Sequence, residues 1–149
     1  MTQIKVISFT IPGVPVAKGR PKFARMGSRI MTYTPAKTHK AEEFVKTCFK
    51  EKFGKHIKTP INGAICLTVE FFMQIPTSLS KNKKASLENL YHTKRPDIDN
   101  LIKTIQDGLN GVAWTDDSCV CCVNATKVYS SNPCTKVEIK FFEKDLTNK

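Results

Sequence analysis

The chain is predicted to fold as a single α/β (α+β) domain over residues 1–149, in the order β-α-β-α-β-β, on a mixed sheet with a C-terminal antiparallel hairpin. Three observations predict this class. Residues 63–75 alternate apolar and polar side chains, the period of a half-buried strand. Residues 35–53 and 100–110 instead repeat their apolar side chains at helical spacing. Two further alternating stretches are joined by Ser130-Ser131-Asn132-Pro133, a turn composition suited to a hairpin. Strands and helices interleaved in this way imply helices layered on a sheet. There is no linker and no internal repeat, and 149 residues are enough to bury roughly 68–70% of the unfolded surface without disulfides or a structural metal.

The first strand is expected over residues 3–11, closed by Pro12-Gly13. Residues 18–33 read as a basic loop containing Gly and Pro, with Phe23 and Tyr33 interleaved among the cations. Thr34 is the expected N-cap and Pro35 the first residue of a helix that runs to Phe53 and stops at Gly54. Ala41, Phe44, Val45, Cys48 and Phe49 form its expected buried stripe. Residues 63–75 place Ile65, Leu67, Val69, Phe71, Met73 and Ile75 on one face, and Pro76 ends the strand. Residues 80–90 are lysine-rich and read as a short surface helix or a loop. The next helix should span Asn100 to Asn110, with Ile98, Leu101, Ile102, Ile105 and Leu109 on its apolar side and Gly111 just beyond its end. Strands over residues 118–129 and 135–142 complete the order.

The charge balance narrows the functional classes. Twenty-four Lys and Arg against 13 Asp and Glu give a net charge of +11, which calls for an anionic partner. No apolar run approaches the ~18 residues of a membrane span. Residues 1–11 lack the charged-then-apolar pattern of a signal peptide. A cytoplasmic protein with a nucleic-acid partner and no membrane partner is expected. Its six cysteines should then be reduced. Cys119, Cys121 and Cys122 are spaced too tightly for a zinc ligand pair, so they read as small buried strand residues. His39, His56 and His92 have no partner spacing that suggests a ligand or a base.

Against this basic background, Asp97, Asp99 and the Asp116-Asp117 pair stand out. Pro96 forces Arg95 toward extended backbone, so the helix begins after it. Asp97 falls on the incoming segment and Asp99 at the N-cap or in the first turn. Carboxylates held ~4 Å apart repel by ~4 kcal/mol per pair at an effective dielectric of 20, so such a cluster must be protonated, paired or bridged by a metal. Asp97, Asp99 and Asp117 would make an oxygen-rich site suited to Mg²⁺ or Mn²⁺, if the chain doubles back to bring Asp117 to the helix start. Asn100 and Asp116 could then hold a water beside the ion. Lys103, one turn past Asp99, could stabilise charge on an attacked phosphate. The other reading is structural: Asp caps helices and favours turns, and Lys103 could simply pair with Asp99.

The segment His92-Thr93-Lys94-Arg95-Pro96-Asp97-Ile98-Asp99-Asn100-Leu101-Ile102-Lys103, the helix through Asp107-Gly108-Leu109-Asn110-Gly111-Val112, and Trp114-Thr115-Asp116-Asp117-Ser118-Cys119-Val120 together resemble the RusA family of Holliday junction resolvases, frequent in phages and prophages. The Gly19-Arg20-Pro21-Lys22 loop is similar to the basic N-terminal loop of phage-type members. The resemblance implies a Mg²⁺-dependent homodimer that cuts branched DNA in a bacterial or phage-infected cell, with Mn²⁺ able to substitute. It implies that Asp97, Asp99 and Asp117 are the essential carboxylates and Lys103 the essential lysine. The cysteines at 119, 121 and 122 depart from the family's usual strand residues. Lys18, Arg20, Lys22, Arg25, Arg29, Lys94 and Arg95 are the expected DNA contacts, because two basic clusters flank the acidic segment. A non-catalytic DNA-binding protein and a flap or fork nuclease are the alternatives.

Overall fold

The strand expected over residues 63–75, β4 (Ile65–Gln74), is the centre of the molecule. Its inward side chains Ile65, Leu67, Val69, Phe71 and Met73 are all buried. A strand with so much apolar surface is best protected with a neighbour on each edge, and β4 has one on both sides. The computed structural model, which describes residues 3–33 and 35–146, gives a four-stranded sheet in the order β1-β6-β4-β5. Here β1 is Ile4–Pro12, β5 Val120–Ser130 and β6 Cys134–Phe142. β5 runs parallel to β4, whereas β6 is antiparallel to both β4 and β1. The fold is therefore a mixed sheet with helices, an α+β domain as expected.

The expected C-terminal hairpin does not form. β4 lies between β5 and β6, so those two strands share no ladder. Residues 131–133 cross over the end of β4 instead of making a tight turn. Two strand spacings are ~10 Å, within reach of three extended residues. A true hairpin of β5 and β6 would have left β4 with an unpaired edge.

Two helices cover the inner face of the sheet. α1 spans Ala36–Phe53 with Pro35 at its N-cap position, one residue later than expected; Thr34 lies outside the described residues. Gly54 follows its end, as predicted. Val45 and Phe49 enter the core, but Phe44 is exposed, and Ala41 and Cys48 are only half-buried. α2 (Lys81–Leu87) is a short exposed helix capped by Ser80, whose side chain accepts from the Lys83 amide at 3.3 Å. α3 spans Ile98–Leu109 and buries Leu101, Ile105 and Leu109, while Ile98 and Ile102 are half-buried. Trp114 is fully buried just beyond it.

The stretch expected to be a basic loop holds a separate two-stranded ribbon, β2 (Lys22–Met26) and β3 (Arg29–Tyr33). Gly27 at φ 65° makes the two-residue Gly27-Ser28 turn that joins them. That Gly-Ser pair is a hairpin signal in its own right.

The cysteines also differ from expectation. Cys121 and Cys122 are exposed, and Cys119 is half-buried. The ladder slips between Ile65 and Cys66, so that Ile65 faces Val120 but Cys66 faces Cys122. A bulge at Cys121 breaks the alternation that would have sent these neighbours to opposite faces. Among the described residues, no helix is long and apolar enough to cross a membrane.

α1 and α3 approach closely at Gly108, where an added Cβ would sit 2.8 Å from Val45 Cβ and 3.0 Å from the Glu42 carbonyl oxygen. In an open helix, Gly→Ala gains ~0.5–1 kcal/mol. Here overpacking outweighs that gain. Gly108→Ala should destabilise the protein by ~1–3 kcal/mol, read as a lower urea midpoint at unchanged slope.

Candidate active site at the start of α3

α3 begins as its sequence requires. Pro96, joined to Arg95 by a cis peptide, precedes Asp97, which holds the N-cap backbone conformation at φ −69° and ψ 144°. The Asp97 side chain makes no capping hydrogen bond. Its carboxylate is exposed, as are Asp99 in the first turn and Asn100 after it. Capping therefore does not account for Asp97, which leaves its oxygens available to a ligand.

Three contacts fix the surroundings of this helix start. The Lys18 amide donates to the Asn100 carbonyl at 2.9 Å, and the Gly19 amide to the buried Thr38 hydroxyl at 2.9 Å. These tie the basic loop to α3 and α1 together. From β5, Lys127 Nζ donates to the carbonyls of Lys94 (2.8 Å) and Pro96 (2.7 Å). The His92 amide in turn donates to the Lys127 carbonyl at 2.9 Å, so residues 92–97 lie pinned along the sheet.

Between these walls runs an open groove of about 1010 Å³, where Arg20, Lys37, His92, Arg95, Asp97 and Asn100 meet. Three of these side chains are cationic, one is a carboxylate, and the remaining two are polar. His92 Nδ1 is buried without a hydrogen-bond partner. Burial, and then the Lys127 charge, push the His92 pKa down, which favours a neutral ring at neutral pH. Neither His92 nor Lys127 was expected at the site. Lys127 lies 31 residues from Pro96 in sequence, and no local pattern announces such a contact.

The other predicted residues fall elsewhere. Lys103 Nζ pairs with Asp107 at 3.1 Å, one turn on, and not with Asp99. Lys18 is also engaged there, 3.0 Å from Asp107 and in contact with Glu42 of α1. Burial alone would lower the Lys18 pKa, but the hydrogen bonds to Glu42 and Asp107 prevail and raise it. Its charge is thus neutralised inside the protein, in contrast to the exposed Arg20, Lys22, Arg25, Arg29, Lys94 and Arg95. Asp116 accepts from both the hydroxyl and the amide of Ser118, which hold its carboxyl below the usual range. Asp117 opens a short 3-10 turn (Asp117–Cys119), and its Oδ1 accepts from Trp114 Nε1 at 2.9 Å.

Asp97 and Asp117 lie at opposite ends of α3. The groove places Asp97 with Met73 and Gln74, the last residues of β4. Trp114 bridges to Ile61, and the Thr115 amide donates to the Ile61 carbonyl at 3.1 Å, which places Asp117 beside the first residues of β4. The 12 residues of α3 rise 1.5 Å each, so roughly 18 Å of helix separates the two ends. Consistent with this, no group of three or more His, Cys, Asp or Glu capable of holding a metal occurs among the described residues.

Residues 12–140 match the family model described as Endodeoxyribonuclease RusA, a span that includes the groove, α3 and the Asp117 turn. The chain belongs to the RusA family. It is also 32% identical over 138 residues to the uncharacterized protein YqaN of Bacillus subtilis (strain 168), covering 90% of this chain and 95% of that protein. Membership in RusA supports a nuclease-type function, with the acidic start of α3 and its basic groove inside the matched region.

Lys18→Ala would leave Glu42 and Asp107 facing each other without their shared cation. It should cost ~1–3 kcal/mol at pH 7, measured by urea unfolding. Because the folded lysine's pKa is raised above its ordinary 10.5, its stabilisation is full below that pH and is lost as pH rises through the folded value. The gap between wild type and variant should therefore close in strongly alkaline buffer.

Proposed function

We propose that this RusA-family chain is a divalent-metal-dependent endodeoxyribonuclease that nicks branched DNA, resolving Holliday junctions by paired cuts. The observation that carries the reading is the uncapped carboxylate of Asp97, beside Asp99, at the edge of a groove lined by Arg20, Lys37 and Arg95. Cations that bind phosphate and carboxylates that bind a hard metal stand side by side there. The donor set fits Mg²⁺, with Mn²⁺ as a substitute, because all candidate ligands are oxygens.

The separation of Asp97 from Asp117 shapes the proposal. In a two-fold dimer whose α3 helices run antiparallel, the α3 start of one protomer meets the α3 end of its partner. Asp97 and Asp99 of one chain would then join Asp117 of the partner subunit, and the two-fold axis would supply two equivalent sites. When bound there, the metal would polarise the scissile phosphate and lower the pKa of an attacking water. Lys103 would turn its exposed ammonium from Asp107 toward the charge that builds on the phosphate. Asn100 and Asp116 would orient water around the carboxylates. Arg20, Lys22, Arg25, Arg29, Lys94 and Arg95 would hold the DNA strands, while Lys18 braces the loop that carries them.

Asp97→Asn, Asp99→Asn and Asp117→Asn should each abolish nicking of a synthetic four-way junction in Mg²⁺ while retaining junction binding. Loss of binding in all three would make them structural residues. A wild type that never nicks favours the other reading, a non-catalytic DNA-binding protein. Comparing junction, flap, fork and duplex substrates at one salt concentration separates a resolvase from a broader nuclease.

Mixing inactive Asp99→Asn and Asp117→Asn proteins tests the shared site. A heterodimer with sites shared between chains carries both substitutions in one site and none in the other, so single-strand nicking should return. If each chain holds its own complete site, the mixture stays inactive.

Binding should also weaken steeply with salt. About 6–10 phosphate contacts would cost ~10³–10⁵ in affinity between roughly 50 and 200 mM, and a flat response in a filter-binding titration would remove the basic groove from the argument.

A further inference from the structure

The β2–β3 ribbon stands apart from everything else in the fold. It forms its own two-stranded sheet, and all of its residues except Ala24 are exposed. Phe23, Ile30 and Met26 expose 72%, 71% and 63% of their surface, and Met31 and Tyr33 are also open to solvent. Single exposed apolar residues are ordinary, but five on ten ribbon residues are not. An isolated hairpin gains little from its own packing, so these side chains do not stabilise the domain.

The register shows how they are arranged. Phe23 lies opposite Thr32 and Arg25 opposite Ile30 on one face of the ribbon. Lys22 pairs with Tyr33, Ala24 with Met31 and Met26 with Arg29 on the other. Each face therefore mixes flat or flexible apolar groups with a cation. The chain segment that carries the ribbon bears charge of a single sign, although Lys5 pairs with Glu143 and Lys18 with Glu42 and Asp107. Residues 1–41 carry eight basic side chains (Lys5, Lys18, Arg20, Lys22, Arg25, Arg29, Lys37 and Lys40) and no Asp or Glu. A second copy of this strongly basic segment would be repelled from it, whereas a polyanion would be attracted.

The ribbon also has a fixed root. Arg20, two residues before it, and Pro35, two residues after it, both line the groove that contains Asp97. The Gly19 amide is anchored to Thr38 at 2.9 Å. The arm therefore springs from the rim of the groove, where DNA held by the proposed nuclease site would pass.

We infer that the β2–β3 ribbon is a branch-sensing arm that enters DNA at a strand junction, with Phe23 and Ile30 against unstacked bases and Lys22, Arg25 and Arg29 on the flanking phosphates. A two-stranded ribbon has the width to enter the major groove of a duplex. Apolar side chains enter a base stack at an energetic cost that is lowest where stacking is already broken. Stacking of a base on an aromatic ring is indifferent to sequence. The arm therefore reads structure, branched against continuous, and not base identity. This inference deepens the nuclease reading and rests on it for its biological use, but binding can test it without cleavage.

The experiment uses the full-length protein, no divalent metal, and a four-way junction carrying 2-aminopurine at the branch point. A duplex of equal length serves as the comparison. Wild type should bind the junction more tightly and raise the 2-aminopurine fluorescence. Phe23→Ala combined with Ile30→Ala should weaken junction binding about tenfold or more, the scale of one lost base–aromatic stack. Duplex affinity and thermal unfolding should stay unchanged, and Phe23→Trp, which keeps a ring for stacking, should retain junction affinity. Equal selectivity and equal fluorescence in the double variant would overturn the inference. So would a shift from dimer to monomer on gel filtration, which would make the ribbon a contact between copies. A wild type that unstacks the branch yet never nicks in Mg²⁺ would overturn the nuclease reading alone.

Discussion

The placement of β4 between β5 and β6 governs the rest of the molecule. Its inward residues Ile65, Leu67, Val69, Phe71 and Met73 are shielded from water, each contributing ~1.5–3 kcal/mol relative to exposure. Ladder bonds run along both of its edges, to β5 over its whole length and to β6 from Cys66 to Phe72, and so satisfy most of its backbone polar groups. α3 packs against α1 and β5, with its start near Gln74 and the turn beyond its end near Ile61. The two acidic positions are thus set apart by the same packing that makes the core. No local adjustment of the Asp117 turn could bring them together without dislodging the buried Trp114.

The second organising contact is the seam between α1 and α3. Its closeness at Gly108 brings Glu42 and Asp107 within reach of one ammonium, that of Lys18. The lysine joins three segments, since its own amide also donates to the Asn100 carbonyl. Charge that looks available for DNA in the sequence is here part of the support for the groove. Lys127 performs a comparable task from the opposite side, through the carbonyls of Lys94 and Pro96. Both cations hold backbone that carries exposed cations and carboxylates, so rigidity and ligand contact fall to different residues.

Much of this arrangement was legible in the sequence where the signal is local. The alternation along residues 63–75 identified β4, and the apolar spacing of Leu101, Ile105 and Leu109 identified the buried side of α3. The break at Pro96 placed the helix start correctly to within two residues. Strand order was not legible, because a short Ser/Asn/Pro connection can close a hairpin or cross a neighbouring strand end. Only the competition for β4's two edges decides between them. The Gly27-Ser28 turn was a readable signal that the density of basic residues obscured. At the candidate site, residue types and spacing pointed to Asp97, Asp99 and Lys103, but spacing along a chain does not reveal which end of a helix a downstream turn returns to. Nor does it reveal that Lys103 faces Asp107, an ion pair whose other member also belongs to Lys18.

Separating the carboxylates has an energetic logic under the proposed function. Three carboxylates gathered within ~4 Å inside one chain would oppose folding by ~4 kcal/mol for each pair at an effective dielectric of 20. That is comparable with the ~5–15 kcal/mol of net stability a domain of ordinary size possesses. With Asp97 and Asp117 at opposite ends of α3, the isolated chain folds without this repulsion. In the proposed dimer the repulsion would arise only when two chains meet, and the metal ion proposed for the chemistry would offset it. A dimer so arranged would hold its carboxylates together weakly in the absence of metal and firmly in its presence. Subunit association and metal binding would then strengthen each other by linkage, because each relieves the cost that the other incurs.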